Sequence, residues 1–279
     1  MKLLIIKIGG NVIDDEAQLI SFLNDFAGIK EKKILVHGGG KIATEMSQQL
    51  GIEAKMVDGR RITDAETLKV VQMVYAGLIN KNIVAKLQAR KCNAIGLTGT
   101  DGNSVLATKR QTSPLNPLSH GRGEQRQGGI RGAVDYGFVG DVKKVNEKNI
   151  SSLLNYGFTP VIAPLTHDGK GQMLNTNADT MASAIAVALA KKFDTKLIYC
   201  FEKQGVLRDV EDDNSVIEKM NRKEYEGLKK EGVIFKGMIP KLDNAFDAIK
   251  KNVKSVYITQ AKDLKKIVAG RKAGTMLVK

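Results

Sequence analysis

Short runs of apolar, largely β-branched residues alternate along the chain with longer stretches whose apolar positions recur every three or four residues. Leu3 to Ile8 is one such run and predicts a buried strand. Asp14 and Asp15 can cap a helix in which Leu19, Ile20, Leu23 and Phe26 share a face. A second strand is predicted over Lys33 to Val36, then a turn at His37-Gly38-Gly39-Gly40 and a helix over Ile42 to Leu50 closed by Gly51. Met56 to Ile62, with Asp58-Gly59 at its middle, predicts a hairpin, and a long helix follows from Ala65 to about Arg90. Ala94 to Leu97 and Ser104 to Ala107 read as strands around the turn Thr100-Asp101-Gly102-Asn103. Beyond them come a strand over Thr159 to Pro164, an alanine-rich helix over Thr180 to Lys191, a strand over Lys196 to Phe201, a helix over Gly237 to Asn252, a strand over Ser255 to Thr259 and a short last helix. This alternation predicts an α/β fold with a largely parallel sheet covered on both faces, in two lobes that divide near residue 174. One segment breaks the pattern. Gln111 to Gly132 is rich in Gly, Pro, Ser, Gln and Arg and has no apolar periodicity, which predicts a mobile, solvated insertion over 111–132.

With 279 residues and 42% hydrophobic content, the chain can bury one large core or two lobes sharing one sheet. No apolar run reaches the roughly 20 residues of a membrane helix, and the apolar start has no small-residue cleavage site, so a cytoplasmic protein without a membrane partner is expected. The two cysteines, Cys92 and Cys200, lie far apart in apolar segments and read as buried thiols. A formal charge of +14 would suit nucleic acid, an anionic membrane or an anionic substrate. The basic residues are scattered, aromatics are 5% and tryptophan is absent, so no nucleic-acid surface is expected. Three histidines without HExxH or Cys/His spacing argue against a protein-bound metal.

The chemistry concentrates in a few short segments. Lys7-Ile8-Gly9-Gly10-Asn11 and His37-Gly38-Gly39-Gly40 both follow apolar strands, and such turns offer backbone N–H groups to an anion without interference from a Cβ. No GxxxxGK[ST] loop, GxGxxG fingerprint or protein-kinase motif set is present, so a phosphotransferase would have to be of another kind. Asn175-Thr176-Asn177-Ala178-Asp179 opens a helix, where Asn and Asp serve equally well as caps; Asn175 and Asp179, four apart, could share a helical face. Lys241, after Gly237-Met238-Ile239-Pro240, is by itself an ordinary lysine. His37 reads as structural, fixing its loop.

Taken in order, Lys-x-Gly-Gly, His-Gly-Gly-Gly, Asp-Gly-Arg-Arg-Ile-Thr, Asn-Thr-Asn-Ala-Asp and Gly-Met-Ile-Pro-Lys resemble the acetylglutamate kinases of the amino acid kinase superfamily over nearly the whole chain. The resemblance implies an open αβα sandwich with two lobes: 1–173 binding the N-acylglutamate and forming a homodimer, 174–279 binding ATP with Mg²⁺. It implies that Lys7 and Lys241 stabilise the transferring phosphoryl group, with Asp179 between them to orient both. Gly9 and Gly10 would give backbone donors to the nucleotide, and Gly39 and Gly40 to the acylglutamate. Arg61 would clamp the substrate's α-carboxylate beside Asn175, with Arg60 a solvated neighbour. Glu202, Gly205, Val206, Leu207, Val233 and Phe235 fall where the family lines its nucleotide pocket. Here the chain departs from the family, since Phe201 replaces a hydroxyl residue and Glu202 an aspartate. The start of the chain at its first strand predicts a plain homodimer. The wording of the Asp58 to Thr63, Pro164 to Asp168 and Cys200 to Lys203 segments is similar to the Bacteroidetes-type branch, which makes N-succinylglutamate a rival to N-acetylglutamate. Arg60 or Lys55 could meet the extra carboxylate.

Overall fold

In the computed structural model, residues 1–57, 60–111, 113–114, 133–234 and 238–279 are described. The centre is an eight-stranded sheet in the order Lys219–Met220, Thr275–Leu277, Ser255–Gln260, Asp194–Phe201, Lys2–Ile8, Lys32–His37, Thr159–Ile162 and Ala94–Leu97. All its neighbours run parallel except Ser255–Gln260 and Thr275–Leu277. Alternate residues of each strand feed opposite cores, as the period of two in a strand requires. Leu3, Ile5, Leu197 and Tyr199 pack with the helices Ala178–Leu189 and Met238–Lys250. Leu4, Ile6, Ile198 and Cys200 pack with the helix Glu16–Ala27 and the long helical stretch from Ala65 to Gln88. The expected open αβα sandwich with a mainly parallel sheet is therefore the fold, and both cysteines are buried free thiols.

The strand Lys2–Ile8 is where the connectivity reverses: the next strand in sequence lies on one side of it and Asp194–Phe201 on the other. Open parallel sheets bind ligands outside the carboxyl ends of their strands at such a reversal. Lys7 stands at that end, on the face of Leu3 and Ile5, where continued alternation would have placed an apolar residue.

Four local expectations change. Ala94–Leu97 and Val105–Lys109 do not form one hairpin: the first closes an edge of the main sheet, while the second joins Val139–Val145, Leu165–His167 and Met173–Thr176 in a small closed barrel. Gly99 separates them, donating to Leu165 O at 2.6 Å. The long helix is continuous but winds as a π-helix over Gln72–Ile79. Asn175 and Asp179 share no helical face, because Asn175 lies in the strand Met173–Thr176 and the helix begins only at Ala178, with the Asn177 side chain accepting from Thr180 N. Inside the predicted insertion, Ser113–Pro114 pairs with Ala133–Val134; residues 112 and 115–132 lie outside the described residues. The predicted hairpin is present as Met56–Val57 against Arg60–Arg61, its Asp58-Gly59 turn lying outside the described residues. No helix among the described residues is long and apolar enough to cross a membrane.

Candidate active site

Two glycine turns meet over the carboxyl end of Lys2–Ile8. Gly38 N donates to Ile8 O at 3.0 Å, and a Cβ on Gly38 would stand 3.7 Å from Gly10 N. Gly39 has φ +144°, and any Cβ there would come within 2.2 Å of Ile79 Cδ1, so only glycine fits against the helix crossing above it. His37 ties the second turn down. Its Nδ1 lies 2.8 Å from Gly38 O, which can only accept, so Nδ1 carries the proton. Nε2 then accepts from Asn80 Nδ2 at 3.1 Å, and the same amide donates to Val161 O at 3.0 Å. Complete burial pushes the imidazole down to about 4, so it is neutral and serves as a strut, as the sequence suggests.

Beside these turns is a cleft of about 180 Å³ lined by Gly39, Gly40, Arg61, Tyr75, Asn175 and the start of the helix Ala178–Leu189. The four residues expected on the acylglutamate side, Gly39, Gly40, Arg61 and Asn175, thus share one cavity. Arg61 is 8% exposed. Its Nη2 donates to Gly40 O at 2.8 Å and to Thr44 Oγ1 at 2.6 Å, and Thr44 donates in turn to Gly40 O at 2.8 Å. Nη1 is buried with no hydrogen-bond partner among the described residues. A guanidinium held by neutral oxygens, with one nitrogen uncommitted, is built to meet an anion. Tyr75, carried into the cleft by the π-helical turn, has its phenol pushed up by burial, against the Arg61 cation beside it. Asn175 is fixed by Thr63, to whose hydroxyl its Nδ2 donates at 3.0 Å.

Next to the cleft, Lys7 Nζ forms a 2.7 Å ion pair with Asp179 Oδ1 in a nearly dry setting. Asp179 is at the first turn of its helix, where the backbone dipole favours negative charge. Gly9 leaves room here: a Cβ would stand 3.8 Å from Lys7 Nζ. Lys241, from the helix Met238–Lys250, reaches the same place. Burial pushes its ammonium down, Lys7 acts in the same direction, and Asp179 and Glu202 oppose the shift. Both ammonium groups lie within 5.0 Å of the Phe201 ring centroid. Two opposed cations around one carboxylate suit a triphosphate whose charge spreads during transfer.

The remaining expected nucleotide residues do not join this cleft. Gly205 packs on Thr275 and Val216, Val206 N donates to Thr275 Oγ1 at 2.8 Å, and Val206 and Leu207 are core residues. Glu202 is exposed, with its charge felt at Lys241. Val233 is half-buried against the core, and Phe235 lies outside the described residues. Pattern reading missed Thr44, Thr63 and Tyr75. Tyr75 sits in an apolar helix and looks like core, and the threonines carry no signal until the fold brings them to Arg61 and Asn175.

The model of the amino acid kinase family matches residues 2–260. An acetylglutamate kinase of Cytophaga hutchinsonii is 61% identical over 278 residues, covering 99% of this chain and 98% of that one. An acetylglutamate kinase of Bacteroides thetaiotaomicron is 55% identical over 264 residues, covering 95% of each. Among solved structures, the smu.665 protein of Streptococcus mutans superposes with a TM-score of 0.75 at 27% identity, covering 99% of this chain and 98% of that one.

Proposed function

The chain belongs to the amino acid kinase family, within it to the acetylglutamate kinases, and on that premise we propose that it transfers the γ-phosphoryl group of ATP to the side-chain carboxylate of N-acetyl-L-glutamate. Such a step belongs to arginine biosynthesis. The observation that carries the reading is the cleft lined together by Gly39, Gly40, Arg61 and Asn175, whose wall runs into the start of the helix that carries Asp179, the partner of Lys7.

Arg61 takes the α-carboxylate, Asn175 and the Gly39-Gly40 backbone fix the rest of the acylglutamate, and the free side-chain carboxylate is left pointing at the phosphorus. One of its oxygens forms the new P–O bond as the bond to the ADP oxygen breaks, giving an acyl phosphate and ADP. The nucleophile is already ionised, so no general base is needed. Lys7 and Lys241 neutralise charge on the phosphoryl oxygens, and Asp179 sets the position of Lys7. Mg²⁺ would come with ATP, held by the phosphates themselves, where it would neutralise charge on their oxygens.

In this reading residues 1–173, joined by Asn175, hold the acylglutamate, and 174–279, joined by Gly9 and Gly10, hold the nucleotide along Glu202, Gly205 to Leu207 and the Val233 to Phe235 segment. A cytoplasmic homodimer completes it. Met73 and Leu78, 57% and 46% exposed, are five apart on the π-helical stretch and so present one apolar face that a second copy would cover.

The test is ADP release with MgATP against equal concentrations of N-acetyl-L-glutamate, N-succinyl-L-glutamate and L-glutamate. Turnover with the acetylated acid and none with glutamate supports the proposal. A preference for the succinylated acid would move the acyl group, and silence with all three would overturn the activity.

A further inference from the structure

Lys7 has a carboxylate partner; Lys241 has none within ion-pair distance among the described residues, although it lies close enough to feel Lys7 as a repelling charge. What Lys241 does touch is an aromatic face. Its Nζ lies 3.8 Å from the Phe201 ring centroid, nearer than Lys7 at 5.0 Å. The π-face of a ring is the negative pole of its quadrupole and attracts an ammonium group, more strongly where water is excluded.

The ring is itself held. Phe201 stacks on Tyr199, with centroids 5.9 Å apart and planes 12° from parallel. Tyr199 is fully buried and donates its hydroxyl to Asp179 O at 3.1 Å. Asp179 pairs with Lys7, which returns to the same ring. The contacts Asp179–Tyr199–Phe201–Lys7–Asp179 therefore close into one loop, and Lys241 rests on it at Phe201. Tyr199 and Phe201 are two apart on one strand, with Lys7 paired to Tyr199 on the next, so all three side chains leave the same sheet face.

We propose that Phe201 is a positioning residue: its ring holds the Lys241 ammonium group at a fixed point beside the Lys7–Asp179 pair, doing with an aromatic face what Asp179 does for Lys7 with a carboxylate. This deepens the proposed phosphoryl transfer and rests on it. The groups facing Lys241 are Asp179, Lys7 and Glu202. None changes in a Phe201 variant, and any loss of burial would raise the Lys241 titration, so a fall in it reports the loss of the ring face.

The experiment compares Phe201→Leu, which keeps an apolar side chain but removes the π-face, with Phe201→Tyr, which keeps the face. The first measurement is competitive acetylation of Lys241 as a function of pH, followed by peptide mass spectrometry, which needs no turnover. The second is the pH profile of kcat with saturating MgATP. The ring favours the charged amine, so its removal should lower the Lys241 pKa and move the alkaline limb of kcat to lower pH. The expected loss in kcat for Phe201→Leu is about tenfold at neutral pH, with the KM for N-acetyl-L-glutamate unchanged and Phe201→Tyr close to the unaltered chain. An unchanged Lys241 titration in Phe201→Leu overturns the inference whether or not the chain turns over, and so does a Phe201→Tyr variant as impaired as Phe201→Leu. Absence of turnover by the unaltered chain overturns the functional reading instead.

Discussion

Arg61 and Lys7 are both buried cations, 8% and 7% exposed, yet the protein treats them in opposite ways. Lys7 is matched by a full negative charge at 2.7 Å. Arg61 is held by a backbone carbonyl and a hydroxyl, and one of its nitrogens has no partner among the described residues. A buried charge is costly unless something balances it. For Lys7 the chain supplies the balance, so the group is fixed before any substrate binds. For Arg61 no such balance is supplied among the described residues, which is why the proposed function gives it to the substrate's carboxylate.

Changes on the Lys7 side should have the largest effects. Lys7→Ala is expected to lower kcat about a thousandfold with little change in the KM for N-acetyl-L-glutamate. It should also cost about 3 kcal/mol of stability by stranding the Asp179 charge. Adding Asp179→Asn should recover much of that stability, read by urea unfolding, and none of the turnover. Near-normal kcat in Lys7→Ala would end its assignment to phosphoryl transfer.

Arg61→Ala should act on the other side of the comparison, raising the KM for N-acetyl-L-glutamate about a hundredfold at similar kcat. Arg61→Lys should restore only part, since a point charge cannot replace a planar fork. If only the KM for ATP responded, Arg61 would belong to the wrong substrate. Thr63→Val, which removes the acceptor that orients Asn175, is expected to raise the same KM about fivefold, and an unchanged KM would leave Asn175 without a role in binding.

The smallest effect at working pH comes from His37. Its pKa falls from 6.5 to about 4 on folding, so between these values the unfolded chain binds more protons and stability rises with pH. The contribution is complete above pH 6.5, is down by roughly 1 kcal/mol at pH 5.5, and continues to fall toward pH 4. The difference between urea-unfolding curves of the unaltered chain and His37→Gln should show this slope, and parallel curves would mean that His37 is not buried neutral.

Much of this comparison is legible in the sequence where one residue needs one chemistry. Lys7 interrupts an otherwise apolar strand, and Gly39 sits where no Cβ can be accommodated, so both stand out in the pattern. The partners of Arg61 and Asn175 were not visible, because Thr44 and Thr63 are ordinary residues until tertiary contact joins them to positions 17 and 112 residues away. Val139–Val145 and Met173–Thr176 do not stand out as strands in the sequence, because they close a small barrel where polar and apolar residues mix without a clean period. The split of Asn175 and Asp179 between a strand and a helix depended on Asn177 taking the cap, a choice that three nearby Asn and Asp residues leave open in sequence.

The most direct test of the central claim follows one oxygen atom. N-acetyl-L-glutamate labelled with ¹⁸O in its side-chain carboxylate is incubated with the enzyme, MgATP and hydroxylamine, and the released phosphate is analysed by mass spectrometry. Attack by the carboxylate on phosphorus makes a labelled oxygen the bridge of the acyl phosphate, and hydroxylamine, attacking the carbonyl carbon, sends that oxygen away with phosphorus. The account predicts one ¹⁸O in each phosphate formed. Unlabelled phosphate released along with ADP would mean that water is the acceptor, and would contradict it.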